Sequence, residues 1–310
     1  MAAPFTRTSL YRGPALVQYN GHTFFTRDDI VARLAPEWGA VNTSMYGEVD
    51  SVLADRVYQV PLTLWGAWEN LADLFPAAVM AGTVGASIFG ASDKALTIWG
   101  RNGDKVVYAN AAVTKLANLH LGVGADLFSS AVEFTCLRAN TANPEDANAY
   151  FTLSNSPLTE DAFAKTNFSR QRWTAAWGSV AGFASFVGEK GIDISWEAQM
   201  EPVRVEGWGT SDFTLAGFKA QARCIPIGPT LAQLEAASQS QDTALGSLLS
   251  GAVADLTLSA AKSGTIVLKN AALREHGYAF GQTPLRIGEC VWETTRLFVD
   301  GVPGVVASVA

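Results

Sequence analysis

Charge is what this chain has least of. Only 16% of its 310 residues are Asp, Glu, Lys or Arg, against about 25% in an ordinary globular protein. Beside 48% hydrophobic residues, so little charge leaves less purely solvated surface than a free monomer needs. Much of the surface is therefore expected to meet other subunits. The charge that is present is acidic, a net −7 at pH 7, and no run of Lys or Arg occurs. Gripping a phosphate backbone takes basic residues gathered in patches, so nucleic acid near this protein is expected to be passed along and not held.

Reactive residues are equally sparse. The three cysteines, Cys136, Cys224 and Cys290, are odd in number and far apart, which argues against a disulfide framework or a CxxC metal knuckle. They read as buried small hydrophobes in a reducing compartment. His22, His120 and His276 occur in no HxxH or HExxH pattern, and neither a GxSxG elbow nor a GxxxxGK[ST] loop is present. Gly122-Val123-Gly124 is too short for a nucleotide fingerprint and reads as a turn. No enzyme activity, cofactor or metal is expected. A membrane partner is not expected either: the one apolar run, Leu71 to Gly90, carries Asp73 and Pro76 and is mostly Ala, Gly and Val. The first residues, MAAPFTRTSLYRG, lack the apolar stretch of a signal peptide. Synthesis and retention in cytoplasm are expected, unless the protein leaves inside a larger particle.

What the chain does contain is a repeat. GEVDSVLADRVYQVPLTLWGAWENL, Gly47 to Leu71, returns in weathered form as GTSDFTLAGFKAQARCIPIGPTLAQ, Gly209 to Gln233. Gly47, Asp50, Leu53, Ala54 and Gly66 align with Gly209, Asp212, Leu215, Ala216 and Gly228 at a constant offset of 162. Further on the offset is 160: Asn110-Ala111-Ala112 matches Asn270-Ala271-Ala272, and Glu133, Thr135 and Leu137 match Glu293, Thr295 and Leu297. Solenoid repeats run about 20–50 residues, so this spacing is a duplicated domain. The first copy is taken as residues 1–158 and the second as 173–310. A polar join at 159–172 separates them.

Each copy reads as antiparallel β-structure. Ala15 to Thr26 alternates around Asn20-Gly21, a hairpin signal. A strand near Asp29 to Leu34 precedes an irregular stretch with Pro36, Gly39 and Asn42, and Val52 to Leu64 is a long strand. Ala67 to Phe75 spaces Trp68, Leu71, Leu74 and Phe75 as a short helix ended by Pro76, and a Gly/Ala/Ser loop spans Ala77 to Ser92. Strands flank Asn102-Gly103-Asp104 and cover Ala131 to Ala139. The second copy repeats this order, with its helix at Thr230 to Ala237. The expected fold is mainly β: two tandem antiparallel β-sandwich or barrel domains, each with one short helix. Glu133 and Glu293, which sit at matching places in separate copies, read as structural or interface residues and not as a catalytic pair. The tryptophans Trp65, Trp68, Trp99, Trp196 and Trp292 read as core or subunit contacts.

In order, the chain gives GEVD and a long strand, a helix, a Gly-rich loop, a strand–NGD–strand unit, NAAVTKLANLHLG and LFSSAVEFTCLRA. This resembles the tail tube proteins of long-tailed bacteriophages, in which a phrase like Asn110 to Leu137 recurs. The resemblance covers most of the first copy and, through the repeat, the second more weakly. It implies a structural virion protein whose subunits join their sheets into rings, with the rings stacking around a channel for DNA. Partners would be other copies of the chain, the tape measure protein and viral DNA in the lumen, without sequence-specific binding, and other tail proteins at the tube ends. Assembly would take place in host cytoplasm. Members of that family usually carry one domain and form hexamers. Two copies per chain therefore predict a trimer with pseudo-sixfold symmetry; a hexamer with the second domain outside is the competing geometry. Glu48, Asp50, Asp55, Glu201 and Asp212 are the candidates to face an acidic lumen. A different ring-forming tail component (distal tail, hub or terminator protein) and a duplicated β-sandwich binding module remain as alternatives.

Overall fold

The computed structural model describes residues 16–26, 29–65, 72–92, 94–100, 103–122, 130–139, 150–156, 173–206, 208–240, 253–260, 264–279, 286–294, 298–299, 302–303 and 307–309. The expected join at 159–172 lies outside them.

The first copy contributes β1 (Leu16–Tyr19), β2 (His22–Thr26), β3 (Arg33–Thr43), β4 (Gly47–Leu62) and β5 (Leu64–Trp65). The short helices α1 (Ala77–Ala81) and α2 (Phe89–Ser92) follow, then β6 (Lys94–Trp99), β7 (Asp104–Lys115), β8 (Leu119–Leu121), β9 (Val132–Leu137) and β10 (Phe151–Asn155). The second supplies β11 (Trp173–Trp177), β12 (Val187–Gly188), β13 (Ile192–Val205), β14 (Gly209–Cys224), β15 (Pro226–Ile227) and α3 (Leu231–Gln239). It continues with β16 (Ala254–Ala260), β17 (Thr265–Glu275), β18 (Tyr278–Ala279), β19 (Arg286–Ile287) and β20 (Cys290–Thr294), and ends in β21 (Phe298–Val299), β22 (Val302–Pro303) and β23 (Ala307–Val309). Every pairing of these strands is antiparallel. The protein is mainly β, in two large antiparallel sheets, as alternation and β-branched content predict.

The duplication is visible in the topology. One sheet runs β3-β4-β9-β7-β6-β1-β2-β5, and the other contains β13-β14-β20-β17-β16-β11, the same path strand for strand. β10 pairs with β7 as β23 pairs with β17, and the small β12–β15 pair stands where β2 meets β5. β4 and β14 are both 16 residues long. Even the β-bulges coincide: the β3–β4 ladder shifts at Glu37/Trp38 and Val41/Asn42, the β13–β14 ladder at Gln199/Met200 and Val203/Arg204, each 162 residues on. A bulge adds one unpaired residue and re-aims the strand, so both hairpins bend alike. The cores match too. Tyr19 donates its hydroxyl to the Ala111 carbonyl (3.4 Å), and Trp177 donates its indole N–H to Ala271, the same carbonyl in the second copy (2.9 Å).

Local chemistry explains where the expectations held. Asn20 and Gly21 take φ of 50° and 81°, the left-handed pair of a type I′ hairpin turn. Thr230 caps α3, accepting from the Gln233 N–H while the Gln233 side chain accepts from the Thr230 N–H, a reciprocal capping box.

Three expectations need correction. The stretch around Pro36 and Gly39 is not irregular but the 11-residue strand β3; β3 is an outer strand of its sheet, where a missing N–H breaks no second ladder. Of the expected helix Ala67 to Phe75, the described end forms one 3₁₀ turn at 72–74. The α-helix begins after Pro76, which occupies its N-cap, because proline suits a helix start better than a helix end. The loop at 77–92 accordingly holds both α1 and α2.

Candidate assembly surface

The two copies are joined by backbone pairing. β8, from the first copy, adds to the outer edge of β13 with Leu121, His120 and Leu119 opposite Ile192, Asp193 and Ile194. His120 Nδ1 lies 2.6 Å from Asp193 Oδ1 across that ladder. The segment after α1 docks along β14. Gly85 donates its N–H to Leu215 O (2.8 Å), Leu215 donates back to Ala86 O (3.1 Å), and Ile88 donates to Phe213 O (2.8 Å). Phe75 packs on Trp196 with ring centroids 5.1 Å apart.

Two carboxylates clasp this joint. Asp212 accepts from the Ser87 hydroxyl, the Phe89 N–H (3.0 Å) and the Phe213 N–H (2.7 Å). Asp55 accepts from both the N–H (2.9 Å) and the hydroxyl of Thr210, and from the Arg56 N–H (2.7 Å). Arg204 Nε lies 3.8 Å from Asp55, and its guanidinium also donates to Glu37. Charge-assisted bonds of this kind are the strong ones, and here they tie β3–β4 to β13–β14. Gly209 (φ 74°) fits because it has no side chain: a Cβ there would lie 2.5 Å from Asp55 Oδ1.

Of the five acidic residues singled out in the sequence, Glu48, Asp50 and Glu201 are exposed. Asp55 and Asp212 are brought together at the joint, with the Asp55 side chain only 9% exposed. Their carboxylates are engaged there and are not free on the surface. Sequence alignment could not show this, since Asp55 meets Thr210 across 155 positions of chain.

Among the described residues nothing covers the matching surface on the first copy. Leu215 is fully buried, whereas Leu53, the same residue at the same place in the repeat, is 37% exposed. Around it Trp38, Val49, Val52, Met45 and Tyr46 are all exposed, Met45 and Tyr46 by 79% and 74%. No described strand pairs the edge of β4 from Gly47 to Val57 away from β3. Ile30 to Ala32 occupies the place that Ile192 to Ile194 holds in the second copy; it pairs with no described strand, and Val31 is 55% exposed. Gly47 (φ 71°) is built like Gly209, yet a Cβ there would meet nothing within 4 Å. So many exposed apolar side chains on one hairpin mark an interaction surface.

Other polar groups have structural partners. His22 pairs with Asp73, and Asn20 donates to the same carboxylate (2.7 Å); neither aspartate partner of a histidine was legible, because 51 and 73 residues separate the pairs. Glu293 is held by Lys219 (2.8 Å), Gln221 (2.8 Å) and Arg274 (3.5 Å). Burial works to raise its carboxyl, but the hydrogen bonds from Lys219 and Gln221 and the charges of Lys219 and Arg274 prevail and lower it. The first copy keeps the glutamine as Gln59 but has Val57 and Thr114 in place of the two cations, so neither charge that holds Glu293 is repeated at those places for Glu133. Cys136, Cys224 and Cys290 are free thiols, buried as expected. Burial raises all three, Cys290 to about 12 with help from the Glu289 charge. Trp196 and Trp292 are buried, whereas the side chains of Trp65 and Trp68 lie outside the described residues. Among the described residues no three His, Cys, Asp or Glu converge as metal ligands, and no helix is long and apolar enough to cross a membrane.

No protein-family model and no curated protein matches this sequence.

Proposed function

We propose that this chain is a structural subunit that assembles side by side into rings, the major tail tube protein of a long-tailed bacteriophage. The observation that carries the reading is the unequal pair of hairpins. The second copy's β13–β14 is covered by the first copy, while the first copy's β3–β4 presents the same surface uncovered. A unit with one satisfied and one open version of a single joint is built to accept a neighbour head to tail. Such a joint yields a closed ring when the rotation closes, and closing it removes the exposed sheet edge that would otherwise aggregate.

Three chains would supply the six domains of a pseudo-sixfold ring. Stacked rings would enclose a channel for DNA and the tape measure protein, with other tail proteins at the tube ends, in virions assembled in host cytoplasm. The low charge and acidic balance suit a lumen through which DNA slides. Glu201, which is exposed and whose carboxylate takes no part in the joint, is the foremost lumen candidate of the five, whereas Glu48 and Asp50 stand on the open hairpin. Negative-stain microscopy of the purified protein tests the reading. Tubes support it. Single rings that never stack indicate another tail component, and isolated particles indicate a monomeric binding module.

A further inference from the structure

The joint seen inside the chain is a template for the joint between chains. We infer that the open side of β3–β4 receives the second copy of a neighbouring molecule of this same protein, with Ala279 of the neighbour's β18 set against Ala32 as Leu119 of β8 is set against Ile194. This inference rests on the ring-forming reading above and names its contact.

Three observations support a second copy of this chain as the occupant. The receiving surfaces are equivalent in detail, with β4 and β14 of equal length, the same two bulges and the same leucine at positions 53 and 215. At the offset of 160, Leu119 of β8 corresponds to Ala279 of β18, a strand that pairs with β19 along one edge and whose Tyr278 is 37% exposed. Finally, the acceptor carboxylate is retained. Asp50 corresponds to Asp212, which in the joined pair takes three donors; Asp50 is exposed and, among the described residues, takes the Ser51 N–H alone (2.7 Å).

The two joints differ in one informative respect. The charged clasp has no counterpart on the open side, where Glu37, Asp55, Arg204 and Thr210 are replaced by Gln199, Gly217, Asn42 and Glu48. The contact between chains therefore relies on strand pairing, apolar cover at Trp38 and Leu53, and Asp50. It lacks the salt-sensitive ion pair that locks the halves of one chain.

Within one chain Leu119 sits opposite Ile194, which makes Ala279 of one molecule the partner of Ala32 in the next. Full-length protein carrying Ala32→Cys and Ala279→Cys, oxidised under native conditions and run on a denaturing gel, is expected to give a covalent three-chain species, and neither single variant to give any. The native thiols are buried and do not compete. Rings or tubes without this cross-link would overturn the contact and leave the ring reading standing. A monomeric protein without cross-link would overturn both, and a cross-linked series with no closed three-chain limit would uphold the contact and remove the trimer. Leu53→Glu provides a second arm. Because Leu53 is already part-exposed, circular dichroism should be unchanged while assembled material is lost; undiminished assembly would sink the proposal.

Discussion

The two halves of this protein are one fold in two circumstances. The second copy has its long hairpin covered and an aromatic core in which Trp177, Phe183, Phe186 and Trp292 pack with centroids 5.5–6.1 Å apart. The first has the same strand path and bulges, Val132 where the second has Trp292, and its hairpin in the open. The difference teaches that topology and register survive extensive side-chain change, because they depend on where strands and bulges fall. Side chains at a joint depend on whether a neighbour is present within the same chain.

Four experiments would break or sharpen this comparison, from the largest effect down. Trp292→Ala should destabilise the protein by about 3–5 kcal/mol in denaturant unfolding, the usual cost of deleting a buried aromatic. Val132→Ala, at the matching place in the first copy, should cost distinctly less; equal losses would mean that Trp292 and Val132 carry the same weight in their cores. Asp212→Ala leaves the Phe89 N–H without its acceptor, and about 1–3 kcal/mol is expected to be lost. Asp50→Ala should leave monomer stability unchanged, and a loss equal to that of Asp212→Ala would refute the claim that the two sites differ in occupancy.

Gly209→Ala combines left-handed strain of about 1–2 kcal/mol with a clash against Asp55, whereas Gly47→Ala should carry the strain alone. Thermal unfolding of both variants measures the difference. The smallest effect concerns pH. The Glu293 carboxyl is lowered in the folded state, so the unfolded chain takes up its proton first as pH falls. The stabilisation is thus present above the ordinary value of 4.5 and is lost as pH falls below it. Glu293→Gln should remove that increment, so that its stability curve meets that of the unsubstituted protein in acid. A gap that persists there would mean that packing, not charge, is what Glu293 contributes.

Much of this was legible beforehand because it is local or periodic. Asn20-Gly21 dictates its turn through backbone sterics, Thr230 and Gln233 lie within one helical turn of each other, and alternation marks the strands. The repeat at 47 and 209 foretold a duplicated architecture, since two similar strings fold by the same rules. Pro36 was misleading because proline's effect depends on whether the strand has a neighbour on that side. Pro76 is ambiguous in sequence because a proline bounds a helix from either end.

The roles of Asp55 and Asp212 belong to a different category. By composition and position they look like Glu48 and Asp50, acidic residues on a long strand. Whether such a carboxylate is solvated or spent on a clasp depends on residues 123 to 155 positions away, brought near when β8 and the 85–88 segment cross to the second sheet. Sequence periodicity carries no information over that range. Strand content, the hairpin turn and the duplication follow from the residues themselves, through backbone sterics and hydrophobic alternation. The covered and open hairpins follow from how the copies dock, because a long-range contact forms only where the folded backbone brings donor and acceptor within hydrogen-bond reach.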